Sequence, residues 1–171
     1  MPEEKIIDCP ACNRKLSKLK VQDIVVDICE DGCGGVWFDA GELKKVDEKH
    51  ENAGEILLNL KKSPEVEVDF SKTRTCPVCQ DIKLYRHYSS VKMQIEVDEC
   101  QKCGGFWLDA GELEKIRNEY ENQAAKEADA AAYFANYSAN LIDHAFEEDY
   151  KRNKPAGFVD SILSIFFGTV K

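Results

Sequence analysis

Two features of common protein classes are missing from this sequence. No apolar run reaches the roughly 18 to 20 residues that cross a bilayer, so we do not expect an integral membrane protein. An excess of basic residues is also missing, since 23 Lys and Arg stand against 32 Asp and Glu, a formal charge of −9. Strong nonspecific affinity for nucleic acid normally needs the opposite sign, so such binding is disfavoured.

A secretory leader and metal-binding histidines are missing as well. The opening residues, MPEEKIIDCP, do not show the charged and then apolar pattern of a leader, which favours the cytoplasm. In that reducing compartment cysteines exist as thiolates rather than disulfides. The three histidines, His50, His87 and His144, do not stand at metal-ligand spacing. Any metal is therefore expected to bind through sulfur.

Cysteine is abundant, and its eight copies form two sets of four. The first set has two residues, then sixteen, then three between successive cysteines, and the second has two, twenty and two. Two close pairs joined by a strand hairpin place four sulfurs at the corners of a tetrahedron, which suits Zn²⁺. The predicted ligands of two zinc ions are Cys9, Cys12, Cys29, Cys33, Cys76, Cys79, Cys100 and Cys103.

Iron is the main alternative metal, because it also accepts four thiolates. No cysteine is left over as a nucleophile, and four protein ligands leave no open position for water. We therefore predict that the protein is not an enzyme and has no catalytic residues. The extra residue of the Cys29–Cys33 pair, which Gly32 is expected to absorb in a bulged turn, predicts a weaker first site.

A ten-residue stretch follows the last cysteine of each set. It is GGVWFDAGEL at 34–43 and GGFWLDAGEL at 104–113, so the chain contains two copies of one small module. Asp39 with Glu42, and Asp109 with Glu112, have the spacing of a capping box that starts a helix. Trp37 and Trp107 are expected to cover their own ribbons, with ligand stacking as the less favoured role.

Alternation of apolar and polar residues predicts the strands. We expect strands in KLSKLKV and IVVDI, then at 36–38, and again in IKLYRHY and VKMQIEV. The clearest alternation is that of VKMQIEV, at 91–97. The buried face of the first hairpin is expected to comprise Leu16, Val21, Ile24, Val26 and Ile28.

Helices are expected after each module. The first should run from Ala40 to about His50 and stop before a break at Asn52 to Gly54. The second can continue from Ala110 to about Tyr150, because the chain has no proline there and no glycine after Gly111. Its apolar residues recur at steps of three and four, which predicts one amphipathic face. An apolar tail helix at 158–167 is too short to span a membrane.

The predicted fold class is α+β, with two small three-stranded zinc ribbons, each followed by a helix, then a long C-terminal amphipathic helix and a short apolar tail helix. The predicted organisation is ribbon 1 with its helix at 1–50, a linker at 51–75, ribbon 2 with the start of its helix at 76–120, a helical arm at 121–154 and the apolar tail at 155–171.

The cysteine pattern, CPxC followed by a hairpin and CxxCGGxWxDxGEL, resembles the transcription factor IIB-type zinc-ribbon family of small bacterial proteins. The resemblance covers 9–43 and 76–113, and the Cys29–Cys33 spacing departs from it. It implies three-stranded ribbons in which the eight cysteines bind zinc, and it suggests a connection with transcription.

Three functions are compatible with these features. The leading hypothesis is a non-enzymatic scaffold or adaptor that holds a protein partner through the C-terminal helix and tail; self-association, or contact of 158–167 with a membrane surface, are further options. The alternative is a nucleic-acid-binding regulator that uses basic and aromatic finger residues, and the third function is metal release on oxidation. The finger residues are Arg14, Lys15, Lys18, Lys20, Lys83, Tyr85, Arg86, His87, Tyr88 and Lys92.

Overall fold

The fold is taken from a computed structural model, which describes residues 6–153. It is an α+β protein whose strands form a single six-stranded antiparallel sheet in the order β1-β2-β3-β6-β5-β4. The predicted fold class is therefore confirmed for the two ribbons and the long helix. The strands are β1 (Ser17–Val21), β2 (Ile24–Ile28), β3 (Val36–Phe38), β4 (Tyr85–Tyr88), β5 (Glu96–Glu99) and β6 (Phe106–Leu108).

The two ribbons join through their third strands. β3 pairs with β6 so that Trp37 lies opposite Trp107, Val36 opposite Leu108 and Phe38 opposite Phe106. Because the two tryptophans occupy the same position in each copy, this antiparallel pairing relates the ribbons by an approximate two-fold axis. The sequence pattern predicted two ribbons, and it gave no indication that they share one sheet.

Each face of the sheet carries its own buried cluster, because neighbouring residues of a strand point to opposite faces. One face holds Val36, Phe38 and Leu108 and is covered by side chains of the helical segments, such as Leu57 and Ile116. The other face holds both tryptophans together with buried cysteines of both sets. The predicted residues of the first hairpin are all buried, with Leu16 on the tryptophan side.

The first hairpin matches its prediction and the second matches it only in part. β2 and β3 have the predicted bounds, and β1 covers most of KLSKLKV. In the second ribbon the clearest alternation was misleading, because β5 begins only at Glu96 and Met93 has a left-handed backbone with φ 53°. The segment before β5 is a turn, closed by the Ser89 amide donating to the Ile95 carbonyl at 2.8 Å.

The predicted helix from Ala40 to His50 is wrong. A three-residue 3-10 helix, Leu43–Lys45, takes its place, and the α-helix α1 (Asn52–Leu57) begins where a break was expected. The reason lies in ribbon 2: the guanidinium of Arg117 donates to the carbonyls of Val46, Lys49 and Glu51. A partner from elsewhere in the chain therefore satisfies carbonyls of this segment, among them the Val46 carbonyl that the predicted helix would have bonded to the His50 amide.

The helix predicted from Ala110 to Tyr150 is divided in two. Helix α2 (Glu112–Glu119) ends at Tyr120, whose backbone is extended, and α3 (Gln123–Asn153) begins three residues later. The Asn122 carboxamide oxygen accepts the Ala125 amide at 2.9 Å, the capping contact that starts a new helix. Helix propensity alone predicted one continuous helix, because it does not take account of a cap at Asn122.

The chain forms two compact units, one ending at Ala130 and one beginning at Ala131. The second unit contains most of α3. Within residues 6–153, no helix combines the length and the apolar character needed to cross a membrane. The predicted tail helix at 158–167 lies outside the described residues, and the finer domain boundaries remain predictions.

Candidate metal centres

The four cysteines of ribbon 1 converge on one point. The sulfurs of Cys9 and Cys33 lie 3.5 Å apart, those of Cys12 and Cys29 lie 3.4 Å apart, and all four fall within 4.8 Å of one another. Three of these cysteines are buried and Cys12 is half-buried.

Ribbon 2 repeats the arrangement. The sulfurs of Cys76 and Cys103 lie 3.8 Å apart, those of Cys79 and Cys100 lie 3.9 Å apart, and again all four fall within 4.8 Å. The spacing predicted from the sequence thus brings together the two expected sets of four, with no exchange of cysteines between them.

These distances fit a tetrahedral zinc ion. A Zn–S bond of about 2.3 Å places the sulfurs of a regular tetrahedron about 3.8 Å apart. The measured separations of 3.4 to 3.9 Å lie close to that value and far from a disulfide bond of about 2.05 Å. Each set can therefore hold one zinc ion with four sulfur ligands.

The first pair of each site is held by the same tight turn. The Cys12 amide points at the Cys9 sulfur at 3.4 Å, and the Cys79 amide at the Cys76 sulfur at 3.3 Å. The residue after each pair, Asn13 or Gln80, has a left-handed backbone. These amide dipoles stabilise negative charge on sulfur and set the direction of the ligand.

The turns of the second cysteine pairs differ between the two ribbons, as their different spacing indicated. Both end in a left-handed glycine, Gly34 or Gly104, but ribbon 1 has an additional left-handed residue, Asp31, with φ 54°. Gly32 was expected to absorb the extra residue by its backbone freedom. It has a different role, because a Cβ there would lie 2.3 Å from the Cys29 sulfur.

The close packing of the ribbon 1 thiols shifts the pKa values of Cys9 and Cys29 in opposite directions. Side-chain hydrogen bonds from Cys29 and Cys33 raise the pKa of Cys9 far above its usual range. A hydrogen bond from Cys33 lowers the pKa of Cys29. Four neighbouring sulfurs cannot all ionise by themselves, and a divalent ion removes that conflict.

The repeated stretch after each site has a different structure from the predicted capping box. The Glu42 carboxylate accepts the Asp39 amide at 2.9 Å, as in such a box. The Asp39 carboxylate, however, accepts the Trp37 indole N–H at 3.0 Å and caps no helix. Ribbon 2 repeats both bonds, so this aspartate orients the tryptophan.

Two arginines are buried structural residues that the sequence pattern did not predict. Arg74 is buried and pairs with Asp98 at 2.9 Å and with Asp109 at 2.7 Å, so it braces the carboxylate that holds Trp107. Arg117 is the arginine that binds carbonyls of ribbon 1. Neither residue has a local sequence signal, because each partner lies at least 24 residues away.

The first site is expected to bind zinc more weakly than the second. Holding Asp31 in a left-handed conformation costs about 1 kcal/mol, which corresponds to about fivefold in affinity. Stepwise chelator titration, followed by the amide NMR signals of Cys12 and Cys79, separates the two sites. Asp31→Gly removes the strain and should strengthen the first site, whereas Glu30→Gly is the control. Equal affinities, or earlier release from the second site, would contradict this prediction.

Comparison with known proteins agrees with this geometry. A family model described as a transcription factor zinc-finger, of the zinc-ribbon type found in transcription factor IIB, matches residues 8–49 and 75–119, together half of the chain. No curated protein and no solved structure matched. The family match favours zinc over iron, the alternative that ligand type alone leaves open.

Proposed function

Because the chain belongs to the transcription factor zinc-finger family, whose model matches both of its ribbons, we propose that it is a non-enzymatic zinc-binding scaffold for a protein partner. The zinc ions serve folding, since each site has four sulfur ligands and no position for a reacting water. Four-thiolate sites need a reducing compartment, and on that ground we place the protein in the cytoplasm.

The observation that carries the proposal is the surface of α3. Phe134, Tyr137 and Leu141 follow one another at steps of three and four, and each is more than half exposed. Further exposed apolar side chains on this helix are Tyr133, Ile142 and Phe146. A helix of 31 residues with such side chains fits the apolar groove of a protein partner.

The nucleic-acid alternative has less support. It relies on seven basic finger residues, and six of them contact groups of the same chain: Arg14, Lys15, Lys18, Lys83, Arg86 and Lys92. Arg86, for example, pairs with the buried Asp98 at 2.9 Å. Binding a phosphate would require these contacts to be broken. The exposed Tyr88 and the nearly parallel rings of Tyr85 and His87 are the features that favour stacking on a base.

Replacement of the apolar side chains tests the proposal. The variant Phe134→Gln, Tyr137→Gln, Leu141→Gln should lose the partner in quantitative affinity capture, because glutamine keeps the helix and removes the apolar surface. The matched control, Asn136→Gln with Asn140→Gln, should capture the partner as the unchanged protein does. Circular dichroism and zinc content verify that both variants are folded.

Two results would decide against the scaffold. If the three-glutamine variant captures the same partner equally well, the apolar side chains of α3 do not hold the partner and the proposal is wrong. If capture disappears after nuclease treatment and falls steeply with salt, the nucleic-acid alternative is correct. A version ending at Lys154, compared in the same assay, measures what the apolar tail adds.

A further inference from the structure

The repeated stretch connects the ribbons as well as building each of them. A Cβ on Gly35 would lie 2.2 Å from Cζ2 of Trp107, and a Cβ on Gly105 would lie 2.2 Å from Cζ2 of Trp37. Each tryptophan therefore packs directly on the second glycine of the other ribbon. Any residue with a side chain in place of that glycine would collide with the indole ring. Both tryptophans are fully buried there.

A second reciprocal contact lies beside the first. A Cβ on Gly34 would lie 3.3 Å from Cβ of Ala110, and a Cβ on Gly104 would lie 3.4 Å from Cβ of Ala40. The first glycine of each copy thus approaches the alanine of the other copy. Two glycines, a tryptophan and an alanine of each ribbon form one self-complementary surface, which we name the reciprocal contact.

The glycines of the reciprocal contact are also parts of the metal turns. The Cys29 amide donates to the Gly35 carbonyl at 2.9 Å, and the Cys100 amide to the Gly105 carbonyl at 2.8 Å. Gly34 donates in turn to the Cys29 carbonyl at 3.2 Å. The conformation that presents a glycine to the opposite tryptophan is therefore the conformation that directs the cysteines toward their ion.

We infer that the reciprocal contact couples the two metal sites, so that zinc bound in one ribbon strengthens zinc binding in the other. Metal fixes the turn in one ribbon, and the fixed turn is the surface on which the tryptophan of the other ribbon packs. In each ribbon the tryptophan lies on the strand that directly follows the metal turn. In ribbon 1 this strand is β3, from Val36 to Phe38. Loss of either ion removes part of the surface against which the other ribbon folds.

Linkage requires the coupling to be equal in both directions. In the full chain, Cys79→Ser with Cys103→Ser disables the second site, and Cys12→Ser with Cys33→Ser disables the first. Competition with a chromophoric chelator then gives the zinc affinity of the remaining site, for comparison with the same site in the unchanged protein. We expect a loss of about tenfold or more, of similar size in both variants.

A pair of glycine variants separates the reciprocal contact from general damage to ribbon 2. Gly105→Ala places a methyl group against Trp37 of ribbon 1, and all eight cysteines remain. Gly111→Ala also strains ribbon 2, because Gly111 has a left-handed backbone with φ 85°, but nothing lies within 4 Å of the new methyl group and it does not contact ribbon 1. The Cys12 amide signal during zinc titration should show a weaker first site in Gly105→Ala and an unchanged first site in Gly111→Ala.

Each outcome decides the question. If the first site keeps its affinity when the second is disabled, the sites are independent and the inference is wrong. It is equally wrong if Gly105→Ala and Gly111→Ala weaken the first site to the same extent, because the effect would then not pass through the reciprocal contact. If the serine variants fail to fold, the comparison of the two glycine variants still gives the answer.

Discussion

Removal of both zinc ions is expected to abolish the cooperative unfolding of the ribbons. Structural zinc contributes about 10 to 16 kcal/mol per site to folding, whereas the stability of a whole domain is about 5 to 15 kcal/mol. The metal-free ribbons therefore have no stable fold. Trp37 and Trp107 are fully buried, so their fluorescence should shift to longer wavelength as they enter water.

The measurement is a titration of the full chain with a strong chelator under reducing conditions. Fluorescence and near-ultraviolet circular dichroism follow the tryptophans, and elemental analysis follows the zinc. Chelator already saturated with zinc is the control, and addition of zinc should restore the original spectra. A protein proven to be metal-free that still melts cooperatively, with buried tryptophans, would contradict the prediction.

Replacement of Arg117 by methionine is expected to lower the free energy of unfolding by about 1 to 3 kcal/mol, the cost of leaving a buried hydrogen-bond acceptor without its donor. The Arg117 side chain is 2% exposed and also contacts Glu55 at 2.8 Å. Methionine keeps much of the volume, and it leaves the carbonyls of Val46, Lys49 and Glu51 without their donor. The expected damage therefore lies in ribbon 1, although the change is in ribbon 2.

Urea denaturation at saturating zinc measures this effect. Lys115→Met changes an exposed residue of the same helix, and it should stay within about 0.5 kcal/mol of the unchanged protein. A difference of less than about 1 kcal/mol between the two variants would show that Arg117 is not the joint between the ribbons.

Gly54 provides an independent check of the same joint. A Cβ on Gly54 would lie 1.9 Å from Nη1 of Arg117, so Gly54→Ala should destabilise the protein although alanine favours helices. In the Arg117→Met background the cost should be smaller, because the nearest colliding group is absent. Additive effects of the two changes would contradict direct contact between these residues.

The ligands of one metal site lie up to 27 residues apart, but their fixed spacing identifies them in the sequence. The alternation in the first hairpin involves residues that are close in the chain, and both predictions match the structure, in the metal centres and in strands β1 to β3. The alternation at 91–95 failed because Met93 belongs to a turn, where period-two spacing has no consequence for burial. The helix predicted after Ala40 failed because Arg117, 71 residues beyond Val46, binds its carbonyls.

The repeated stretch shows most clearly the difference between contacts within a module and contacts between the two modules. Its glycines and its tryptophan were assigned to the ribbon that contains them, since a sequence gives no information about which copy a side chain contacts. The tertiary structure places Trp37 on Gly105 and Trp107 on Gly35.

The sequence by itself determined the eight ligands, the two modules and the family, because ligand geometry requires a fixed spacing along the chain. Only the tertiary structure decided that the modules share one sheet and that each tryptophan packs against the other module. It alone also decided that Arg117 binds the carbonyls of Val46, Lys49 and Glu51. These contacts depend on the docking of two folded surfaces, which no local pattern of residues records.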